Sequence, residues 1–404
     1  MSMANGRVQV QIARCAGPAS DTCRSFLEDF NKIIDEHIHI NKNPTSKYHQ
    51  MRKKISAEMR TYVTSFEESW LGFEKATLMG TLEKSSDRDV VESVITECIS
   101  TELVPSQREF LRTLLSSTPF LKDDQILTGL TSVLNCLSED EKLSLTKTAK
   151  SKLKHLATAS RNPVIFILDS EVQSLPWESL PIMTKSLQAA SRVPSLPFLH
   201  ALWSAHKTDT ASVVSSGVAQ DNVFYVLNPD KNLAETQKRL EGALKAWASW
   251  EGVVGEAPKK PQLEGALQGK DAFLYCGHGS GSKYLSVDEI EKVGLCCGCG
   301  VPSYKILSCL QLRVRAVPVL VGCNSGQLTR QGRSLDPLGT AQSYLVAATP
   351  ALVSYSLFVL AHCRSRPSMV TSGWFPVGHH RPGRGQVDHR LPGPLAARRR
   401  HRGH

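Results

Sequence analysis

The chain has 404 residues, 41% of them hydrophobic, which is enough for two or three domains with real hydrophobic cores. Its formal net charge of +10 does not predict a nucleic-acid-binding surface, because nine arginines against one aspartate lie beyond Ala361 and contribute 9 − 1 = +8. No secretory leader is visible, and polar residues and Pro350 interrupt the longest uncharged stretch, residues 337–361. We therefore expect no secretion, no membrane partner, no direct contact with nucleic acid, and reduced thiols rather than disulfides among the eleven cysteines.

The first part of the chain has a helical pattern. We expect residues 1–20 to be disordered, and residues 21–160 to form an α-helical region in which apolar side chains recur at intervals of three and four. Phe26, Phe30 and Ile33 begin this pattern. Asp124 and Ser138 each precede an apolar run, which is typical of residues that cap the start of a helix.

The pattern changes after Pro163. Residues 164–169, 222–227, 272–276 and 316–321 are continuous apolar runs of strand length, separated by helix-length segments such as 233–250. An alternation of strands and helices predicts a mostly parallel sheet that is covered by helices on both sides. In such a sheet, functional sites lie outside the carboxyl ends of the strands.

Two of these strands end in residues suited to chemistry. His278 follows one strand between Gly277 and Gly279, and Cys323 follows another directly after Gly322. Taken alone, His278 is more simply a loop histidine in a glycine-rich turn, and an inert buried cysteine is the simpler interpretation for any of the ten cysteines other than Cys323. A phosphate-binding loop fails because the residues around Lys283 do not match its pattern. Together, His278 and Cys323 predict a thiol nucleophile and its base, since such partners meet in space rather than in sequence.

This order of strands and residues resembles the caspase-like (clan CD) cysteine peptidases, and within them it is most similar to the separase family, with a metacaspase as a weaker alternative. The similarity extends from about residue 162 to residue 353. The segments that carry it are Pro176-Trp177-Glu178, Phe224-Tyr225-Val226-Leu227-Asn228-Pro229, Cys276-Gly277-His278-Gly279-Ser280-Gly281 and Gly322-Cys323-Asn324-Ser325.

The resemblance implies an α/β fold of caspase-like type, a mostly parallel sheet covered by helices and preceded by the helical region. Residues 161–256 would form an inactive pseudo-protease and substrate-binding half, and residues 257–353 the active half. In the active half, Cys323 would be the nucleophile and His278 its base, and the backbone N–H groups of Gly279 and Cys323 would form the oxyanion hole. No cofactor or metal is implied.

The resemblance also implies a function. Members of the family are cysteine endopeptidases that cleave the kleisin subunit of cohesin after arginine and so trigger sister chromatid separation at anaphase. Securin would be the inhibitory partner, and a cyclin-dependent kinase with cyclin B is a further candidate partner. The expected location is the cytoplasm and nucleus, at spindle poles or centrosomes and on chromosomes in mitosis.

An insert at residues 293–311 departs from the family pattern. It contains Cys296, Cys297, Cys299 and Cys309, but these spacings lack the gap of two to four residues that is usual for zinc ligands, and no histidine lies near. We interpret the insert either as a loop beside the active site or as a translated intron, because its first and last residues are compatible with splice-site codons.

The segment 354–404 is a second departure, which we interpret as an aberrant, basic and disordered tail. A one-base shift around His379 and His380 would restore an Asp-Arg-Asp motif like the one that forms the acidic pocket for the substrate arginine in the family. The substrate-binding residues are therefore unknown, and the expected acidic segment is missing after Val353. A basic nuclear or RNA-binding tail is the alternative interpretation, and a catalytically impaired fragment that only binds securin or cohesin is the alternative function.

Overall fold

The computed structural model describes residues 19–38, 46–207, 209–210, 212–294, 314–323, 325–329, 338–354 and 370–373. The first part of the chain is helical, and the sheet begins at Val164. No helix among the described residues is both long and apolar enough to cross a membrane. Most of the predicted insert and tail lies outside these residues, including the four-cysteine cluster.

Among the described residues, the helical region contains six α-helices and shorter turns. The helices are α1 (Ala19–Ile38), α2 (Ser46–Ser65), α3 (Ser85–Cys98), α4 (Pro105–Ser116), α5 (Asp123–Val133) and α6 (Glu139–Lys152). Ser138 caps α6, and its hydroxyl accepts a hydrogen bond from the N–H of Glu141. Asp124 does not cap α5 as predicted, because that helix begins one residue earlier, at Asp123.

Helices α3 to α6 enclose their own apolar core. Leu111, Leu114, Ile126 and Leu145 are fully buried in it. Helix α2 continues through a π-helical turn (Phe66–Leu71) towards the sheet. There Phe66 packs edge-on against Trp177 of the first half of the sheet, with ring centroids 5.5 Å apart, so the helical region and the sheet share one aromatic core.

In the part of the chain that the structure describes, eight strands form one sheet. They are β1 (Val164–Phe166), β2 (Ala190–Arg192), β3 (Val223–Leu227), β4 (Glu251–Val254), β5 (Ala272–Cys276), β6 (Val317–Val321), β7 (Ala351–Ser354) and β8 (Val370–Gly373). The helices of this part are α7 (Pro181–Ser186), α8 (Leu196–His206), α9 (Val213–Ser216), α10 (Ala234–Lys245), α11 (Lys260–Gly269), α12 (Val287–Gly294) and α13 (Thr340–Val346).

The strand order is β1-β2-β8-β7-β6-β5-β3-β4, and every pairing is parallel except that of β7 with β8. The centre of the sheet has the most regular pairing: β5 pairs along its full length with β3 on one side and with β6 on the other. All five residues of β3 are buried, as expected for a strand covered by helices on both faces. The predicted mostly parallel α/β sheet is thus confirmed.

Several sequence-predicted bounds differ from the structure: β3 and β6 each begin one residue later than predicted, and the helix-length segment 233–250 contains α10 (Ala234–Lys245). Two further differences concern the sheet. The first predicted strand ends at Phe166 rather than at Asp169, because the Asp169 carboxylate accepts a hydrogen bond from the N–H of Glu171 and starts a turn. Strand β8 lies within the segment that we interpreted as a disordered tail, and it is inserted between β2 and β7.

Candidate active site

The carboxyl ends of β5 and β6 are side by side. In their parallel pairing Cys276 is opposite Val321, the last residue of each strand. His278 follows Cys276 by two residues, and Cys323 follows Val321 by the same number. The equal offsets bring both predicted functional residues to the same point of the sheet edge.

The two loops that carry these residues are in backbone contact. A Cβ atom added to Gly322 would lie 1.9 Å from the carbonyl oxygen of Gly279 and 2.8 Å from that of Gly277. Only glycine at position 322 therefore allows the loops to meet this closely. Gly279 has a φ of +63°, a conformation that favours glycine, so the turn directly after His278 also depends on this residue type.

Tyr275 of β5 contacts the histidine loop. Its hydroxyl donates a hydrogen bond to the carbonyl oxygen of His278 at 2.8 Å, and its ring lies against Gly281. Burial raises the pKa of Tyr275, which keeps the hydroxyl protonated as a donor. The sequence places Tyr275 on a strand three residues before His278, and nothing in this position indicates that its hydroxyl binds the loop.

The two predicted dyad residues differ in exposure. The His278 side chain is exposed, whereas Cys323 is half-buried and packs against the aromatic core that contains Phe166 and Trp177. An exposed imidazole can exchange protons with a bound peptide and with water, and a half-buried thiol is shielded from bulk solvent on one side. Cys323 thus lies where the two halves of the sheet domain meet.

Cys276 is not a second nucleophile. It is buried at the end of β5, and burial raises its pKa to about 11. A thiol with such a pKa is almost entirely protonated at neutral pH, so Cys276 is the core residue that we expected from the sequence.

An aspartate that the sequence reasoning did not consider lies beside His278. Asp230 follows β3, the strand next to β5, and its carboxylate is close enough to His278 for their charges to interact. Its Oδ1 atom accepts hydrogen bonds from Lys283 Nζ at 2.5 Å and from the Tyr284 hydroxyl at 2.8 Å. These two donors hold the pKa of Asp230 below its ordinary value. The sequence could have indicated this residue, because Asp230 directly follows Asn228-Pro229 and so lies at the same sheet edge as His278.

The histidine loop is also hydrogen-bonded to helix α13. The Thr340 hydroxyl, at the start of α13, donates a hydrogen bond to the Ser280 hydroxyl at 2.8 Å. The predicted oxyanion-hole groups, the backbone N–H of Gly279 and of Cys323, belong to the two loops that touch. The predicted acidic pocket for arginine would lie in the segment after Val353, of which only residues 354 and 370–373 are described.

Among the described residues no group of three or more histidine, cysteine, aspartate or glutamate side chains could hold a metal ion. Cys296, Cys297, Cys299 and Cys309 lie outside that part of the chain, so the expectation that they bind no zinc is not tested.

A parallel α/β sheet with a histidine loop and a cysteine loop on adjacent strand ends is the arrangement of the caspase-like cysteine peptidases. Comparison with known proteins gives the family. The family model described as "Separin, protease domain" matches residues 11–355, which is most of the chain. The chain therefore belongs to the separin protease-domain family, and the resemblance predicted from the sequence is confirmed.

Similar curated proteins include separin from Mus musculus, which is 28% identical over 302 residues, 74% of this chain and 13% of that protein. Separin from Emericella nidulans is 33% identical over 214 residues, 53% of this chain and 9% of that protein. Separin from Schizosaccharomyces pombe is 32% identical over 200 residues, 50% of this chain and 10% of that protein. The chain thus spans only a small fraction of the length of these relatives.

Solved structures give the same fold. A crystal structure of the Saccharomyces cerevisiae separase-securin complex matches with a TM-score of 0.58 and 20% identity, over 85% of this chain and 24% of that chain. A second structure of that complex matches with a TM-score of 0.57 and 21% identity, over 83% of this chain and 23% of that chain. The caspase-like fold predicted from the sequence is confirmed.

Proposed function

We propose that this chain is the protease region of a separase-type cysteine endopeptidase that cleaves the kleisin subunit of cohesin after arginine, and so triggers sister chromatid separation at anaphase. Family membership supports the reaction class. The single observation that supports the assignment of residues is the backbone contact of Gly322 with Gly279, which joins the cysteine loop to the histidine loop. We extend the proposal to a cytoplasmic and nuclear location, with association to spindle poles or centrosomes and chromosomes in mitosis.

The first half of the reaction is acylation. The Cys323 thiolate adds to the carbonyl carbon of the scissile peptide bond, and the carbonyl oxygen becomes an oxyanion. The backbone N–H groups of Gly279 and Cys323 donate hydrogen bonds to this oxyanion, and each such donor typically contributes about 3 kcal/mol to transition-state stabilisation. The His278 imidazolium then gives its proton to the leaving amine as the C–N bond breaks, which leaves a thioester on Cys323.

The second half is deacylation. Neutral His278 takes a proton from a water molecule, and the resulting hydroxide adds to the thioester carbonyl carbon. The C–S bond breaks, the new carboxylic acid leaves, and the thiolate and imidazolium are restored. The exposure of His278 supports this step, since the ring must reach both the leaving amine and the incoming water.

Securin is the proposed inhibitory partner, and the similar solved structures of Saccharomyces cerevisiae separase are complexes with securin. The kleisin subunit of cohesin is the proposed substrate. A cyclin-dependent kinase with cyclin B is a further proposed partner, supported by family membership alone.

A second candidate function is binding of securin or cohesin without catalysis. It is favoured by the composition of the segment beyond Ala361, where nine arginines accompany the single acid Asp388. A pocket for a substrate arginine needs carboxylates, and losing such a charged hydrogen-bonded pair costs at least about 2 kcal/mol in transition-state binding.

The experiment is a cleavage assay with the purified 404-residue chain. The substrates are a kleisin fragment and two matched peptides that differ only in arginine or alanine at the cleaved position, and the control protein is C323S. The proposal predicts cleavage of the kleisin and of the arginine peptide, no cleavage by C323S, and little cleavage of the alanine peptide.

The outcomes separate the two candidates. A folded chain that binds securin but cuts neither substrate would support the binding function. Cleavage that persists in C323S would contradict the assignment of Cys323 as the nucleophile.

A further inference from the structure

The loop that follows β5 is folded around the side chain of Tyr275. A Cβ atom added to Gly277 would lie 2.5 Å from the Tyr275 hydroxyl oxygen, and one added to Gly281 would lie 3.2 Å from the ring. The hydroxyl donates a hydrogen bond to the carbonyl oxygen of His278 at 2.8 Å. Because Tyr275 is only 2% exposed, the packing around its ring holds the hydroxyl in place.

This hydrogen bond fixes one end of a peptide unit. The unit that joins His278 to Gly279 is planar and trans, so its carbonyl oxygen and its N–H point in opposite directions. A donor that binds the carbonyl oxygen of His278 therefore determines where the N–H of Gly279 points. That N–H is one of the two groups to which the proposed mechanism assigns the oxyanion hole.

Glycine makes this peptide unit easy to turn. Its orientation depends on ψ of His278 and on φ of Gly279, and glycine adopts positive and negative values of φ with similar ease. In the structure φ of Gly279 is +63°. The carbonyl oxygen of Gly279, which belongs to the next peptide unit, packs against Gly322, so that unit is already held. The hydrogen bond from Tyr275 selects one orientation of the unit before it.

We propose that Tyr275 is a positioning residue for the oxyanion hole: by binding the carbonyl oxygen of His278, its hydroxyl directs the N–H of Gly279 towards the scissile carbonyl. This inference rests on the proposed function, because the oxyanion forms when Cys323 adds to a peptide carbonyl. In this role Tyr275 contacts neither the substrate nor the reacting atoms, and it transfers no proton. A second effect has the same sign, since a peptide unit whose carbonyl oxygen accepts a hydrogen bond has a stronger N–H donor.

Two tyrosine variants test the role of the hydroxyl. Y275F removes only the hydroxyl and keeps the ring around which the loop folds. Y225F is the matched control, because Tyr225 is also buried, at 5% exposed, and lies on the neighbouring strand β3, where its ring packs on Trp250 and Gly252. Urea denaturation establishes that both variants are folded.

The first readout is the peptide unit itself. His278 is the only histidine in the sequence that is followed by glycine. A chain with ¹³C at the histidine carbonyl carbons and ¹⁵N at the glycine amides therefore gives a single NMR cross-peak that joins the two labels. In Y275F this cross-peak should move, or split into two where both orientations are populated. In Y225F it should stay at its position in the unmodified chain.

The second readout separates the orientation of the N–H from the general stability of the site. With the arginine peptide, Y275F should lower kcat by about tenfold, the loss expected for one hydrogen bond in the transition state, and leave KM within about twofold. The rate at which iodoacetamide alkylates Cys323, a reaction that forms no oxyanion, should stay within about twofold. Y225F should leave all three quantities unchanged.

The inference is overturned by a Y275F protein whose cross-peak does not move, or by equal losses of kcat in Y275F and Y225F. Equal losses of peptide cleavage and of Cys323 alkylation in Y275F would also overturn it, because they would show that the cysteine itself is displaced. Failure of the proposed function is a separate result. A chain that cuts no peptide but whose cross-peak moves in Y275F retains the orienting hydrogen bond and loses the endopeptidase assignment.

Discussion

The two edges of the sheet differ. Strand β2 runs opposite to β5 and β6, so its carboxyl end lies at the other edge of the sheet from theirs. At the ends of β5 and β6 the loops are rich in glycine, their backbones touch, and His278 is exposed. At the end of β2 the last residue is Arg192, whose guanidinium is bound by the buried Glu178 and by the carbonyl oxygens of Gln173 and Leu175. One end leaves a reactive group available, whereas the other satisfies a charged group within the protein.

This difference agrees with the proposed division of the sheet into an active half and a supporting half. A guanidinium that is bound by a carboxylate and two carbonyl groups is not free to bind a substrate, and removing the carboxylate would leave its charge unpaired within the protein. Cys323 connects the halves, since it follows β6 but packs against the aromatic core of the first half. We therefore expect substitutions in the second half to change catalysis, and substitutions around Arg192 to change stability.

The largest expected effect is the loss of cleavage in H278A. Without the base that activates the thiol and protonates the leaving amine, kcat/KM should fall by at least about 10³-fold. The free energy of unfolding should hardly change, because the ring is exposed. Peptide cleavage and urea denaturation measure the two quantities, and a variant with full activity would contradict the division between the halves.

The counterpart in the first half is E178Q. Removing the charge of a buried carboxylate that binds Arg192 should lower the free energy of unfolding by about 3 kcal/mol. The rate at which iodoacetamide alkylates Cys323 in the folded protein should stay within about twofold, because Arg192 is not part of the reactive loops. A large change in the alkylation rate of Cys323, with no change in the free energy of unfolding, would contradict the proposed structural role of Glu178 and Arg192.

A smaller effect is expected for G322A. The added methyl group would overlap the backbone of Gly279, so the two loops must separate, at a cost of about 2 kcal/mol. Cleavage should fall with stability, since the same contact joins the cysteine loop to the histidine loop. The matched control is G265A in α11, where the added Cβ meets nothing within 4 Å and helix propensity favours alanine by up to about 1 kcal/mol. Equal stability of the two variants would contradict the close approach of the loops.

The smallest expected effect concerns His206, which is buried between Ser212 and the carbonyl oxygen of Ala348. Burial lowers its pKa below the ordinary value of 6.5. Below pH 6.5 the unfolded chain therefore binds a proton at His206 more readily than the folded chain does. The stability contributed by neutral His206 is fully present above pH 6.5, and as the pH falls below this value the free energy of unfolding decreases by at most about 1.4 kcal/mol per pH unit.

Denaturation at pH 8, 6 and 5 tests this assignment. The H206Q variant should lose less stability on acidification than the unmodified chain, and H200Q, an exposed histidine of the same helix α8, should behave like the unmodified chain. An unchanged acid dependence in H206Q would show that His206 is not the group that titrates.

The sequence was sufficient for the features that depend on local patterns. The strand β5 was predicted with its observed bounds, because an apolar run followed by Gly277 has a clear start and end. The sequence also predicts that His278 and Cys323 meet, because both follow parallel strands. This prediction requires only that the carboxyl ends of parallel strands lie at one edge of the sheet, and it does not require the order of the strands.

What the sequence could not provide depends on which strands are neighbours. Asp230 is relevant only because β3 lies next to β5, and Tyr275 only because its ring folds back under the loop that follows it. Strand β8 was missed because its residues come from a segment without strand-like periodicity, and its pairing with β7 and β2 is long-range.

The central claim is that Cys323 reacts with a peptide carbonyl and needs His278 to do so. A peptide with a terminal arginyl acyloxymethyl ketone, incubated with the 404-residue chain and analysed by intact and tryptic mass spectrometry, tests both parts without requiring turnover. The account predicts a single adduct on Cys323 that is absent in C323S and at least about 10²-fold slower to form in H278A. An adduct on another cysteine, or labelling of Cys323 at an equal rate in H278A, would contradict it.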